Sequence, residues 1–130
     1  MARVTGIGGI FLKARDPEAL GAWYVKHLGI ELSEYGGATM LWTDEIPAGT
    51  GQTIWSLFPD DSENFGPGPQ RCMVNYRVDD LDGLLENLRA AGVPIDPNRD
   101  DSPYGRFAWI TDPEGNRLEL WQPLAETEET

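Results

Sequence analysis

The stretch GNRLELWQP, residues 115–123, decides the fold because an earlier stretch repeats its pattern. That earlier stretch is GQTIWSLFP, residues 51–59, which starts at a glycine and ends at a proline 64 residues before their counterparts. Both stretches read as strands that follow a glycine turn. Glu119 lies between two leucines of the later strand, and a buried carboxylate is costly unless it is paired, protonated or bound to a cation. The stretch therefore predicts a duplicated structure and a candidate functional acid.

The repeat extends in both directions from this stretch. YGGATMLWTD at 35–44 resembles YGRFAWITD at 104–112, and each ends in Thr-Asp before a turn. The chain thus reads as two copies of one module of about 60 residues, with boundaries near 5–59 and 71–123. Between the copies, SENFGPGPQ is rich in glycine and proline and is predicted to be a linker.

Each module reads as a strand, a helix and three further strands. The first helix is predicted from the capping residue Asp16, from Pro17 in the first turn and from the terminating Gly29. The second runs from a cap at Asp79 or Asp80 through leucines at helical spacing to Gly92. The predicted opening strands are IGGIFLKA and CMVNYRV, and the later strand cores lie near 30–35, 38–43 and 52–58 and near 93–97, 105–111 and 117–122.

These elements predict an α+β fold in which two βαβββ modules form a single domain over residues 1–130. One helix covers only one face of a four-stranded sheet, so the open apolar faces of the two modules are expected to face each other. The space left between curved sheets is then a cleft for a small molecule. The last residues, 124–130, are acidic and polar and are predicted to be a disordered tail.

Composition excludes several classes of function. A hydrophobic content of 40% supports a packed core, and the net charge of −12 argues against nucleic acid or an anionic membrane as a partner. We find no stretch approaching the ~20 apolar residues of a membrane span and no secretory leader, so a cytoplasmic location is expected. The single cysteine, Cys72, cannot form an internal disulfide and is predicted to be a reduced thiol in the core.

Three stretches of the chain resemble sequences of the vicinal oxygen chelate superfamily, which includes glyoxalase I, bleomycin-resistance proteins and extradiol dioxygenases. They are ARDPEALGAWYVKHLGIEL, YRVDDLDGLLENLRAAGV and TDPEGNRLELWQP, and with the repeat they cover about 5–123. The resemblance implies paired βαβββ modules around a cleft, and metal ligands contributed by the first and last strand of each module. It also implies a homodimer.

The residues at the four implied ligand positions are Gly9, Trp55, Met73 and Glu119. Only Glu119 could bind a hard divalent ion, because glycine lacks a side chain, indole only donates and a thioether prefers soft metals. We therefore expect no cofactor and no metal, with Glu119 as the ligand if a divalent metal binds at all. A register error of one residue would instead bring Asn75, Gln52 or Glu31 toward the site. The sole histidine, His27, falls near the end of the first helix and favours the helix dipole there.

Side chains two apart on a strand share a face, which adds neighbours to these positions. Phe11 joins Gly9, Asn75 joins Met73, and Trp121 joins Glu119. Tyr104 and Arg106 lie at the entry of a strand after a loop that, by the resemblance, borders the cleft mouth. The predicted ligand-binding set is therefore aromatic with few polar groups: Gly9, Phe11, Trp55, Met73, Asn75, Tyr104, Arg106 and Trp121.

Glu119 has two interpretations. In a dry cleft its pKa should rise, which suits a general acid or base. An arginine neighbour would instead lower its pKa and make it a structural ion pair, with Arg77, Arg106 and Arg117 as the candidate partners.

The sequence leaves two main functions open, and a third possibility is a module that assembles with a partner through an exposed sheet edge or cleft. The first is a metal-independent protein that binds a small molecule, similar to the bleomycin-resistance branch. The alternative is a glyoxalase-like enzyme of the lyase, isomerase or dioxygenase type that uses Glu119 with or without a divalent metal. Both take a small-molecule ligand, and the sequence does not decide between enzyme and binding protein.

Overall fold

The computed structural model describes residues 2–41 and 52–124. In order, the elements of this part are β1 (Val4–Ala14), α1 (Pro17–Leu28), β2 (Gly37–Leu41), β3 (Gln52–Pro59), β4 (Cys72–Val78), α2 (Leu81–Ala90), β5 (Ile95–Ser102), β6 (Gly105–Thr111) and β7 (Arg117–Gln122), with a short 3-10 turn at Glu63–Phe65. The predicted tail, apart from its first residue, and the end of the predicted strand at 38–43 lie outside the described residues.

The chain divides into two compact units, and the boundary between them falls inside β4. The N-terminal unit is Gly8–Met73, and the C-terminal unit is Met1–Ile7 together with Val74–Thr130. Strand β1 therefore contributes its first residues to the C-terminal unit, where the Arg3 amide donates to the Asp79 carboxylate at 2.8 Å, and its later residues to the N-terminal unit.

In the N-terminal unit the strand order is β2-β3-β1, with β3 antiparallel to β2 and parallel to β1. Helix α1 begins where the Asp16 carboxylate accepts a hydrogen bond from the Ala19 amide at 3.0 Å. It ends at Gly29, whose φ of +68° is a left-handed conformation that favours glycine. Both termini of this helix were predicted from the sequence and are confirmed.

In the C-terminal unit the strand order is β4-β7-β6-β5, with β4 and β7 parallel and the remaining pairs antiparallel. Asp80 caps α2 through the Gly83 amide at 3.1 Å. One face of this sheet packs on α2 through a cluster of buried aliphatic side chains: Val78, Leu81, Leu85, Ala108 and Leu120. Because side chains alternate along a strand, Glu119 points to the opposite face from Leu120.

The α+β fold class is confirmed, but three local predictions are wrong. Residues 30–35 form no strand, because the hydroxyl and carbonyl of Ser33 hold a turn by accepting from the amides of Tyr35 and Gly36. The loop predicted before Tyr104 is mostly strand, because β5 extends to Ser102. Cys72 is exposed rather than part of the core.

None of the helices in the described part of the chain is both long and apolar enough to span a membrane.

Candidate functional site

Three polar side chains meet in one line across the C-terminal unit, and we call them the acid row: Asn75, Glu119 and Trp109. Glu119 lies opposite Asn75 in the parallel pair β4–β7 and opposite Trp109 in the antiparallel pair β7–β6. Side chains paired in this way lie side by side on one face of a sheet. The row is therefore fixed by the strand register and does not depend on a loop.

Both carboxylate oxygens of Glu119 accept a hydrogen bond. The Asn75 amide nitrogen Nδ2 donates to Oε1 at 2.6 Å, and the Trp109 indole nitrogen Nε1 donates to Oε2 at 2.9 Å. Asn75 and Glu119 are 1% and 4% exposed. A buried carboxylate is normally satisfied by partners of this kind, and these two hold Glu119 in one orientation.

Burial raises the pKa of Glu119 from its ordinary value of 4.5 to about 7. The hydrogen bonds from Asn75 and Trp109 and the positive charge of Arg117 oppose this rise without cancelling it, while Asp100 adds to it. Loss of solvation disfavours the charged form of an acid, and two neutral donors compensate only in part. The result is a carboxyl group that changes its charge near neutral pH.

The side-chain oxygen Oδ1 of Asn75 is buried and has no hydrogen-bond partner among the residues that the structure describes. Leaving such an acceptor without a donor costs about 1–3 kcal/mol. An orphaned polar atom beside a buried acid is rare in a folded protein and requires a physical explanation.

Aromatic and basic side chains surround the acid row on its face of the sheet. The guanidinium of Arg117 lies 5.4 Å from the centre of the Trp109 ring and forms a half-buried ion pair with Asp96 at 2.7 Å. Trp121 stacks on Phe107 with ring centres 6.1 Å apart, and its Nε1 donates to the Tyr104 carbonyl at 2.8 Å. Arg117 acts on Glu119 only through its charge, because no ion pair involves Glu119 within the described residues. The predicted structural ion pair of Glu119 is not observed there.

In the N-terminal unit the predicted site residues Gly9 and Trp55 point to opposite faces of the sheet. Gly9 pairs with Ile54, whereas Trp55 pairs with Ile10, and Trp55 packs edge-on against Tyr24 of α1 with ring centres 4.8 Å apart. A Cβ added at Gly9 would lie 2.6 Å from the Ile54 carbonyl oxygen, so no side chain fits there. Close approach of two strands, rather than space for a ligand, explains this glycine.

The other two predicted residues within Gly8–Met73, Phe11 and Met73, are buried. Phe11 contacts Phe58 with ring centres 5.0 Å apart, and Phe58 in turn contacts Phe65 at 5.4 Å. Met73 is almost fully buried. The structure thus assigns Phe11 to a packed aromatic cluster.

The residues at the four implied ligand positions do not fit a divalent metal. Gly9 admits no side chain, Trp55 is packed on a helix, Met73 offers only a thioether, and both oxygens of Glu119 already accept hydrogen bonds. No group of three or more His, Cys, Asp or Glu side chains that could hold a metal occurs within residues 2–41 and 52–124.

Tyr104 and Arg106 do not both lie with the acid row. Arg106 lies on the α2 side of β6, where its guanidinium contacts Asp82 at 3.4 Å, and Tyr104 is exposed in the turn before this strand. Trp121 and Asn75 do share the Glu119 face, which alternation along the strand predicted for Trp121 and the family resemblance implied for Asn75.

Trp109 is the residue that the sequence reasoning missed. The signal was present, because β6 and β7 are joined by a five-residue turn, and counting outward from Thr111 opposite Arg117 places Trp109 opposite Glu119. The turn itself is closed by Asp112, whose carboxylate accepts from the Glu114 and Asn116 amides at 2.9 Å each.

The model of the Glyoxalase/Bleomycin resistance protein/Dioxygenase superfamily matches residues 6–120. No curated protein matches the sequence of this chain.

Solved structures share the fold at low identity. The chain is similar to methylmalonyl-CoA epimerase from Mycobacterium tuberculosis (21% identity, TM-score 0.65, 98% of this chain and 93% of that one). It is also similar to a Streptomyces coelicolor methylmalonyl-CoA epimerase variant in complex with 2-nitronate-propionyl-CoA (17% identity, TM-score 0.68, 95% of this chain and 100% of that one). A glyoxalase/bleomycin resistance protein/dioxygenase superfamily member from Vibrio splendidus 12B01 matches as well (16% identity, TM-score 0.57, 94% of this chain and 99% of that one).

Proposed function

We propose a function for this chain, which belongs to the Glyoxalase/Bleomycin resistance protein/Dioxygenase superfamily. The chain binds a small organic molecule on the acid row, without a metal ion. The observation that carries the proposal is the buried Oδ1 of Asn75, which has no partner within residues 2–41 and 52–124, beside the buried carboxyl of Glu119. A ligand that donates an N–H or O–H to Oδ1 would satisfy this atom.

The proton position on Glu119 controls what Asn75 offers to the ligand. Indole nitrogen only donates, so Trp109 keeps Oε2 as an acceptor and a proton on the carboxyl must reside on Oε1. Protonated Oε1 then needs an acceptor, which Asn75 provides when its amide rotates by half a turn. Oδ1 turns inward, and Nδ2 takes the place that Oδ1 occupied. The site therefore accepts a hydrogen bond above neutral pH and donates one below it.

A matched pair of aromatic fragments tests this proposal. Aniline offers N–H donors and acetophenone offers only a carbonyl acceptor, so aniline should bind better at pH 8.5 and acetophenone at pH 5.5. Each preference should be about three- to tenfold, which corresponds to one hydrogen bond. Isothermal titration calorimetry at both pH values measures it. In Glu119→Gln, whose amide fixes Asn75 in the rotated state, the pH dependence should vanish. If neither fragment bound the wild type or Glu119→Gln at millimolar concentration, binding at the acid row would be refuted.

The absence of a metal is tested separately. Protein purified without chelators should contain less than about one tenth of an equivalent of any divalent metal by elemental analysis, because a site with a single hard ligand binds such ions poorly. A stoichiometric metal that Glu119→Gln removes would contradict the proposal.

A second function, proton transfer in catalysis, is favoured by one observation. The pKa of Glu119 lies at about 7, close to the value that suits a general acid or base at neutral pH. Because two of the similar folds are methylmalonyl-CoA epimerases, methylmalonyl-CoA in deuterated water is a suitable probe. An enzyme of this kind incorporates deuterium at the acidic carbon, and Glu119→Gln abolishes the incorporation. Exchange that Glu119→Gln leaves unchanged would reject Glu119 as the base.

Homodimer formation remains a prediction from the family resemblance. Sedimentation equilibrium should give about twice the monomer mass of 14.4 kDa.

A further inference from the structure

The N-terminal unit contains a cavity that the proposed function does not use. Its volume is about 570 Å³, within the ~300–1,000 Å³ typical of small-molecule pockets. Its walls come from the end of β1, the first two turns of α1 and Arg71, all within Gly8–Met73. None of the residues predicted as site residues from the sequence lines it.

One wall of this cavity is basic. Lys13, Arg15 and Arg71 line it, in a chain whose 10 basic residues face 22 acidic ones. Arg71 is held in place, since its guanidinium donates to the Asp60 carboxylate at 2.7 Å and to the Lys13 carbonyl at 3.3 Å. Arg15 has no hydrogen-bond or ion-pair partner in the described part of the chain. Asp16, also in the lining, turns one carboxylate oxygen to the Ala19 amide.

Another part of the cavity lining is aromatic. Trp23 and Tyr24 line the cavity, and Trp23 is 50% exposed, which is costly for so large an apolar side chain. Their rings meet edge-on with centres 5.2 Å apart, and the Trp23 and His27 ring centres are 4.9 Å apart. The Trp23 ring is thus oriented by neighbours while half of its surface stays open to a ligand.

We infer that this cavity binds an aromatic anion, a planar ring that carries a phosphate or carboxylate group. The anionic group lies against Arg15 and Arg71, and the ring stacks on Trp23. Three cations against the carboxylates of Asp16 and Asp60 leave this wall positive, although the chain as a whole is strongly negative. Arginine suits the task because its planar guanidinium pairs with two oxygens of a phosphate or carboxylate at once.

Naphthyl phosphate is the probe, with naphthoate to distinguish a phosphate from a carboxylate ligand. Naphthol tests the ring alone, and inorganic phosphate tests the anion alone. Calorimetry at pH 7.5 and 0.15 M salt should show that one of the two anionic aromatics binds at least about tenfold more tightly than naphthol and inorganic phosphate, as one charge-assisted hydrogen bond implies.

Two substitutions should change this affinity in opposite directions. Arg15→Gln should weaken binding about tenfold because it removes a charge-assisted donor. Asp16→Asn should strengthen it by up to about fivefold, because it removes a nearby negative charge while asparagine still caps α1. Arg89→Gln is the matched control, since Arg89 lies on α2, its charge is exposed and it does not line the cavity. Trp23→Ala should weaken the aromatic anions and leave the weak binding of inorganic phosphate unchanged.

Three outcomes would overturn the inference. They are no binding of either aromatic anion at millimolar concentration, an equal loss of affinity in Arg15→Gln and Arg89→Gln, and weaker binding by Asp16→Asn despite an unchanged circular dichroism spectrum. None of these results bears on the acid row, whose residues all lie in the C-terminal unit.

Discussion

The two units use similar elements but place different chemistry on corresponding strands. In the C-terminal unit, neighbouring strands align Asn75, Glu119 and Trp109. In the N-terminal unit, the row through Phe11, which lies 64 residues before Asn75, continues with Ser56 and Gly37. The C-terminal row therefore contains a buried carboxyl group with two hydrogen-bond donors, whereas the N-terminal row contains a phenyl ring, a hydroxyl group and a glycine. Repetition of a backbone pattern does not carry the functional groups with it.

The two units also differ in the side chains that form their cores. The C-terminal unit has a continuous aliphatic core between its sheet and α2, so its other face is available for polar groups. The N-terminal unit relies on the aromatic contacts of Phe11, Phe58 and Phe65, with the Lys13 ammonium 5.3 Å from the centre of the Phe65 ring. It also exposes several large apolar side chains: Trp23, Val25, Tyr35, Met40 and Leu41.

The largest expected effect concerns the aromatic packing of the N-terminal unit. Phe65→Ala should lower the free energy of unfolding by about 3–5 kcal/mol, because it removes a ring that is 1% exposed and leaves a cavity. Urea denaturation measures the change. Phe58→Ala, at a less buried position of the same cluster, should cost less. A loss below about 1 kcal/mol for Phe65→Ala would show that the segment around it behaves as the linker that the sequence predicted.

The acid row should make stability depend on pH. The pKa of Glu119 is about 7 in the folded protein against an ordinary 4.5, so between these values the folded state binds more protons than the unfolded state. The contribution of Glu119 is fully present below pH 4.5 and is lost as pH rises to 7, by about 3 kcal/mol in total. Urea denaturation across pH 4–8 should show this loss in the wild type, superimposed on the other titrations.

Two variants isolate the Glu119 contribution. Glu119→Gln should remove the fall between pH 4.5 and 7, because glutamine does not titrate. Glu114→Gln, in the exposed β6–β7 turn, should leave it intact. If both variants gave the wild-type profile, the burial of Glu119 would not raise its pKa.

Substitution of Gly9 tests whether the opening strand of the N-terminal unit lacks space for a side chain at this position. Gly9→Ala should destabilise the protein by about 1–3 kcal/mol, since its Cβ would meet the Ile54 carbonyl oxygen at 2.6 Å and the strands would have to shift. Gly68→Ala is the control, because nothing lies within 4 Å of the added atom. Thermal denaturation distinguishes them. Equal stability of the two variants would mean that position 9 has room for a side chain after all.

The smallest effect concerns the charge beside the acid row. Arg117→Gln should move the pKa of Glu119 upward, because the positive charge of Arg117 lowers it in the wild type. It should also cost about 1 kcal/mol of stability, since Asp96 loses its half-buried partner. Carbon NMR of the Glu119 carboxyl follows the titration. Arg89→Gln, which removes an exposed ion pair, should change neither quantity. A downward shift of the titration in Arg117→Gln would contradict the proposed electrostatics.

Site residues could be assigned from the sequence more completely in the C-terminal half than in the N-terminal half. Trp121 could be assigned to the face of Glu119 and Asn75 to the face of Met73, because an unbroken strand alternates its side chains with a period of two. Trp55 could not, since the 64-residue offset aligns it with Glu119 while the β1–β3 pairing turns it toward Tyr24 of α1. A shift of one residue in register moves a side chain to the other face, and no single sequence fixes that shift.

By itself the amino-acid sequence determined the fold class, the termini of the first helix at Asp16 and Gly29, and the presence of an acid in an apolar strand. These properties depend on local preferences and on periodicity, which neighbouring residues carry. Only the tertiary structure decided that Asn75 and Trp109 hold Glu119 and that the described residues offer no donor to the Asn75 amide oxygen. Such contacts join residues on three different strands, and long-range pairing, with the burial it causes, sets both their geometry and the charge of the acid.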